Sequence, residues 1–215
     1  MVEIDLLSAG LLERITTDSS HTVVRLTDAG INHLASATQG NRQARLSHES
    51  LVDEVVESLL REGRIAWMGL CLRAKVQGVG ADGTQGKMCQ PDVFSLRNSS
   101  RQDYLEPVVH EIKVNRSDLL GDLERPEKCG ANLDVGGQCW DVPGCDRTGH
   151  PIAKLNEIPM ECGVVVFQNN PIEVTRMAPK RTVSELPFYV WMELAKATPR
   201  RVSDWDNPQV TLTCG

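Results

Sequence analysis

No apolar run in this chain approaches the ~20 residues that a bilayer crossing needs. The acidic start, MVEIDLLSAG, lacks the basic region of a secretory signal. Both absences point to a cytoplasmic protein without a membrane partner. A disulfide framework is lacking too: seven cysteines (Cys71, Cys89, Cys129, Cys139, Cys145, Cys162 and Cys214) are an odd number, irregularly scattered, which suits reduced thiols. There is no CxxC knuckle, so Cys129, Cys139, Cys145, His150 and Cys162 read as small apolar residues rather than a zinc site. Net positive charge is missing as well. With 23 basic against 29 acidic residues the formal charge is −6, so a nucleic-acid partner must be met through a local basic patch or through metal ions.

Nucleotide-binding loops are absent in substance. GVGADG (residues 78–83) fits GxGxxG but runs into TQGKMCQPD, with no helix N-terminus to receive a pyrophosphate. GTQGKM fails as a P-loop, because Ala81 stands where the first glycine belongs and Met88 where serine or threonine is required.

What is present suits one sizeable core and a small appendage: 215 residues, 40% hydrophobic and 24% charged. Residues 5–36 read as a helix, a two-stranded ribbon around TTDSS, and a second helix capped by Thr27 or Asp28. The arrangement resembles the back half of a winged-helix domain, with AGLLE ending a recognition helix, and the front helices missing. Such a fragment has too little apolar surface for a core of its own, so another subunit completing the layer, a homodimer through this N-terminal element, is one expectation. A shortened chain whose wing reads DNA, and a hairpin and helix that merely pack on the main domain, are the others.

ATQGNRQARL (residues 37–46) reads as a linker between residues 1–40 and a main domain at 47–215. From Ser47 as cap, a helix places Leu51, Val52, Val55, Val56, Leu59 and Leu60 on one face, and Gly63 stops it. RIAWMGLCLRAK, PDVFSL and PVVHEIKV follow as strands. RSDLLGDLERPEK begins a helix, with Ser117 and Asp118 as caps, that Pro126 interrupts. QCWDV, CGVVVF and PIEVTRM are further extended runs. ELPFYVWMELAKA closes as a helix with Ser184 as candidate cap. The order predicts an α/β fold, a mixed sheet flanked by helices.

Within PVVHEIKV, strand periodicity puts Glu111 and Lys113 on one face with Val109, and Val108, His110, Ile112 and Val114 on the other. An ordinary surface ion pair is one reading. Asp92 shifts the balance, because it opens the preceding strand and can approach Glu111 across the ladder. Two carboxylates forced together become tolerable around a divalent cation. Magnesium favours such oxygen ligands, and a bound metal can activate water beside Lys113 for phosphodiester cleavage.

PD, nineteen residues, then EIK on successive strands resembles the signature of the PD-(D/E)XK nuclease superfamily. The wider context, QPDVFSL…EPVVHEIKVNRSDLLGDL with EIPMECGVVV and MAPKR…LPFYVWMELAKATP over residues 47–199, is similar to MmcB-like DNA repair endonucleases. The resemblance implies a restriction-endonuclease-like sheet, Asp92, Glu111 and the Ile112 carbonyl as ligands of magnesium or manganese, and Lys113 as catalytic lysine. It also implies an acid from the first helix, for which Glu49 is the candidate. DNA is the implied substrate. PEKCGANLDVGG departs from the helix that relatives carry there, so a nuclease fold with weak or absent catalysis, binding DNA or a protein partner, stands as the alternative. RMAPKR, TPRR, Arg97, Arg101 and Arg116 are candidates for a phosphate-binding patch or a solvated surface.

Overall fold

The computed structural model describes residues 2–16, 22–77, 84–146, 148–167, 172–183 and 185–201. Most of the TTDSS turn, the 78–83 loop, Ser184 and Cys214 lie outside these residues. The chain divides into two units, Met1–Ser47 and His48–Gly215.

The first unit begins with α1 (Val2–Ser8). Gly10, at φ +69°, ends it early, with Leu11 N–H donating to Leu6 O and Gly10 N–H to Leu7 O, the Schellman pattern that a left-handed glycine permits. AGLLE is therefore not helical. Leu12 and Glu13 instead begin β1 (Leu12–Thr16), which pairs antiparallel with β2 (Thr22–Leu26). Thr27 caps the next helix as expected, its Oγ accepting from Gly30 N–H at 3.0 Å and donating to Gly10 O at 2.7 Å. No hydrophobic side chain described in this unit is fully buried, and Val23, Val24, Leu26, Ile31 and Leu34 are exposed.

That helix, α2 (Asp28–Arg61), runs unbroken through residues 37–46, where the sequence suggested a linker. Ala, Gln and Arg tolerate helix, and a lone Gly40 costs only about 1 kcal/mol against alanine. Ser47 is accordingly not a cap; its hydroxyl donates back to Gln43 O within the helix. Leu51, Val52, Val55, Val56 and Leu59 form the buried stripe, and Gly63, at φ +74°, follows the helix end.

In the second unit RIAWMGLCLRAK splits at Gly69 (φ +67°) into β3 (Arg64–Met68) and β4 (Leu72–Gln77). β4 pairs with β5 (Thr84–Cys89) as a separate ribbon. Then come β6 (Val93–Arg97), β7 (Val108–Lys113), α3 (Arg116–Leu123) and α4 (Pro126–Val135). β8 (Gln138–Pro143), β9 (Cys162–Phe167), β10 (Ile172–Arg176) and α5 (Phe188–Lys196) complete the unit. Six strands make one mixed sheet in the order β10-β9-β8-β7-β6-β3, with β7–β8 and β8–β9 parallel and the other pairs antiparallel. This is the expected α/β arrangement.

Two apolar clusters lie in this unit. Val52, Val56 and Leu59 of α2 pack with Ala66, Val93, Ile112 and Val142. The other joins Val109, Phe94, Cys139 and Val164 to Ala131 and Leu133 of α4 and Val190 and Leu194 of α5. β7 lies between β6 and β8 with all six residues buried, so a charge on it is an interior charge. Pro126 proves to be the first residue of α4 rather than a breaker, the place where a missing N–H costs nothing. Asn115 precedes α3, which puts Ser117 and Asp118 inside the helix instead of at its cap.

Two glycine substitutions test this description through urea unfolding. Gly40→Ala should raise helicity and stability by up to about 1 kcal/mol, because the site is helical with nothing within 4 Å of the added methyl. Gly163→Ala should cost at least about 2 kcal/mol, since its Cβ would overlap the Trp140 ring and lie 2.7 Å from Ala178 N.

Candidate metal and catalytic centre

The pairing of β6 with β7 ends at Val93 opposite His110, which leaves the Ile112 N–H without a strand partner on that side. Asp92, one residue before β6, supplies the acceptor: its Oδ2 takes the Ile112 N–H at 2.7 Å. A sheet-edge vacancy thus fixes the carboxylate next to the strand carrying Glu111. Its other oxygen lies 3.4 Å from His48 Nε2.

Glu111 and Lys113 emerge on the same face of β7, as periodicity predicts, and are 4% and 9% exposed. The surface ion-pair reading is therefore set aside. Lys113 Nζ lies 3.1 Å from Glu111 Oε2, 3.3 Å from Ile112 O, 2.9 Å from Asp122 Oδ2 and 4.0 Å from Asp92 Oδ2. Lys128, from α4, donates to Glu111 Oε2 at 2.7 Å and to Asp122 Oδ2 at 2.6 Å. Asn132, 2% exposed one turn further along α4, donates to Glu111 Oε1 at 3.0 Å and accepts from the Cys89 thiol at 2.8 Å.

Three carboxylates (Asp92, Glu111, Asp122) face two ammonium groups, leaving one negative charge in excess. Burial alone would lower the Lys113 pKa, but Glu111, Asp122 and Asp92 outweigh it and hold the amine above the ordinary lysine range. Lys128 is raised in the same way, against its own burial, chiefly by Glu111. For Asp122 burial pushes upward, yet Lys128 and Lys113 win and keep it below the usual carboxylate range. Both lysines are charged at neutral pH. Lys113 in this state stabilises negative charge and cannot accept a proton.

A cavity of about 390 Å³ opens over this network, lined by Glu111, Lys113, Asp122, Lys128, Asn132 and Asp141 among others. Asp141 is the parallel-strand partner of Glu111. Burial, and secondarily the Glu111 charge, raise its pKa to about 6 despite a hydrogen bond with Cys162. Asp92 faces a second cavity of about 660 Å³, which His48, Glu49 and Asp53 also line. Glu49 is exposed there. The structure thus gathers Asp92, Glu111 and the Ile112 carbonyl around the Lys113 ammonium and places Glu49 in the lining of the Asp92 cavity.

Asp122, Asn132 and His48 are absent from the expected set. Asp122 and Asn132 come from helices, and Asn132 interrupts the apolar face of α4 between Cys129 and Leu133. That signal becomes readable once Pro126 is taken as a helix start. The basic patch is mostly engaged internally. Arg176 donates to the carbonyls of Cys162, Leu155, Ile158 and Pro159, Arg116 pairs with Glu157, Lys180 with Glu106 and Arg200 with Asp53. Arg125 and Arg181 line the 390 Å³ cavity.

Among the described residues no group of three or more His, Cys, Asp or Glu side chains has the spacing of a metal site. Two carboxylates and a backbone carbonyl nevertheless form an all-oxygen donor set suited to a hard divalent ion. The Lys113 ammonium already stands, as a cation, where those three converge. The residues fit the group, with the condition that Lys113 yields its place.

No protein-family model matches the chain, and no curated protein matches it. Among solved structures it is similar to SPO1766, a protein of unknown function from Silicibacter pomeroyi, at 19% identity over 66% of this chain and 77% of that one, with a TM-score of 0.42. A superposition this loose bears on neither fold nor activity. Among the described residues no helix is long and apolar enough to cross a membrane.

Asp141 gives a test of the site's electrostatics. A carboxyl raised on folding adds stability in its protonated form, present below its unfolded pKa near 4 and lost as pH rises through about 6. Asp141→Asn should therefore gain on the order of 2–3 kcal/mol over wild type at pH 7 to 8. The gain should vanish by pH 4 in matched urea titrations.

Proposed function

We propose that the second unit is a restriction-endonuclease-like domain of the PD-(D/E)XK kind that hydrolyses DNA phosphodiester bonds with magnesium or manganese. The observation that carries this reading is the contact of one buried ammonium, Lys113, with Glu111, the Ile112 carbonyl and Asp92. Those are the three donors expected to hold the metal. A cation buried against these donors, with Asp122 as a third carboxylate at 2.9 Å, marks a place built for positive charge.

In this reading Asp92, Glu111 and the Ile112 carbonyl hold the ion, which when bound supplies an activated water and neutralises charge on phosphorus. Asp92 is kept in position by the Ile112 N–H. Glu111 is held by Asn132 and Lys128. Lys113, charged at neutral pH, offsets the negative charge that develops on the phosphoryl oxygens. Arg125 and Arg181, at the cavity wall, are the candidates for holding the DNA backbone. Glu49 joins from the Asp92 side. The N-terminal unit serves as a partial winged-helix element whose exposed apolar residues would pair two copies, and the protein works on DNA in the cytoplasm.

A second reading has a specific observation in its favour. Both Glu111 oxygens are already bonded, one by Asn132 and one by both lysines, as expected of a nuclease fold that binds DNA or a partner without useful catalysis.

Asp92→Asn separates the two, because asparagine keeps an acceptor for the Ile112 N–H while removing the charge. It should abolish cleavage of a panel of single- and double-stranded DNAs in magnesium or manganese and weaken manganese binding in calorimetry at least tenfold, with the melting temperature nearly unchanged. Wild-type protein that neither binds manganese nor cleaves any substrate would leave the binding module. Lys113→Met is the less clean variant. It strands buried carboxylates and should cost on the order of 3 kcal/mol at pH 7 in addition to activity.

A further inference from the structure

The proposed reaction makes no use of the sulfur at the floor of the 390 Å³ cavity, where Cys129 of α4, Cys139 of β8 and Cys162 of β9 all reach the lining. Cys129 Sγ and Cys162 Sγ are 3.6 Å apart. A disulfide needs about 2.05 Å, so the remaining gap is the size of a side-chain adjustment. Cys129 is half-buried and Cys162 2% exposed, which makes Cys129 the sulfur an oxidant meets first and Cys162 the one that resolves it. Cys139 pairs with Cys162 in register across the parallel strands and its thiol also hydrogen-bonds the Cys162 thiol, which makes it the rival partner. Cys129 sits on a helix.

The position of that helix gives the pair its consequence. Cys129 follows Lys128 directly and lies three residues before Asn132, the two α4 side chains bonded to Glu111. A covalent tie from Cys129 to β9 fixes this turn of α4 to the sheet, with Lys128 and Asn132 locked onto Glu111.

We infer that Cys129 and Cys162 form a redox-sensitive disulfide site that, on oxidation by hydrogen peroxide, locks α4 against the sheet and closes Glu111 to an incoming metal ion. This regulation rests on the nuclease reading above; the disulfide itself does not. The chemistry balances in two steps. The Cys129 thiolate attacks one peroxide oxygen, the O–O bond breaks, and hydroxide leaves a sulfenic acid at Cys129. The Cys162 sulfur then attacks that sulfur, the S–S bond forms, the S–O bond breaks, and water departs with the Cys162 proton. The hydroxide takes up the proton first lost from Cys129. Two electrons have passed from the thiols to peroxide, whose oxygens end as two waters.

The hydrogen bond to Cys162 and burial raise the Cys129 pKa, so the thiolate is scarce at neutral pH and oxidation there is slow. Unstabilised thiolates also favour the oxidised form once made.

The test uses the full chain treated with hydrogen peroxide, digested without reduction and analysed by mass spectrometry. The expected product is a peptide linking Cys129 to Cys162, two hydrogens lighter, restored by dithiothreitol and absent in Cys129→Ser. Hydrogen exchange across residues 126–135 should slow at least tenfold on oxidation, and manganese affinity should fall at least tenfold, with Cys129→Ser unaffected by peroxide in both. A Cys139–Cys162 linkage, or oxidation of Cys129 without any linkage, would overturn the site. A Cys129–Cys162 disulfide that leaves exchange in α4 and manganese affinity unchanged would overturn the lock. If the linkage forms and slows exchange while reduced protein neither binds manganese nor cleaves DNA, the nuclease reading fails and the disulfide site stands.

Discussion

A lysine ammonium buried among carboxylates on a central strand is the constraint around which the second unit is organised. An unpaired charge at Lys113 or Glu111 would be costly in this interior, and their contact with each other on β7 leaves further oxygens and protons to be bonded. The compensating groups come from outside the sheet: Asp92 from the loop before β6, Asp122 from α3, and Lys128 and Asn132 from α4. The network therefore ties two helices to the sheet at the point where the chemistry is proposed, and packing alone would fix that geometry less closely.

The opposite side of β7 has a different solution. His110 is buried with Nδ1 unpartnered, and burial, with the nearby Arg64 charge, depresses its pKa to about 3. It is a neutral ring at physiological pH, on the face of β7 that strand periodicity assigns to it. Arg64 is itself bound to Ser95 and the Glu106 carbonyl. The charges on this face serve the fold, whereas those on the other side pair with one another beside a cavity.

Much of this was legible from periodicity. Alternation along VVHEIKV put Glu111 and Lys113 on one face, and the spacing of Leu51, Val52, Val55, Val56 and Leu59 gave the buried stripe of α2. What escaped depends on context. Residues 37–46 hold no proline, and one glycine was too weak a breaker to end the helix. Pro126 was read as an interruption, although the same ring suits a first helical turn, and with α4 unrecognised Asn132 could not be placed. Thr84–Cys89 has little of the β-branched character that announces a strand; its pairing with β4 makes it one. Asp122 and His48 are ordinary helical residues until the fold brings them to Lys113 and Asp92.

The bond from the Ile112 N–H to Asp92 carries a further consequence for how such a protein changes over generations. The side chain at position 92 completes a strand edge as well as supplying charge, and asparagine could do the first without the second. Aspartate and asparagine codons differ by one base. A lineage could thus lose the proposed chemistry in a single genetic step while keeping the strand edge intact.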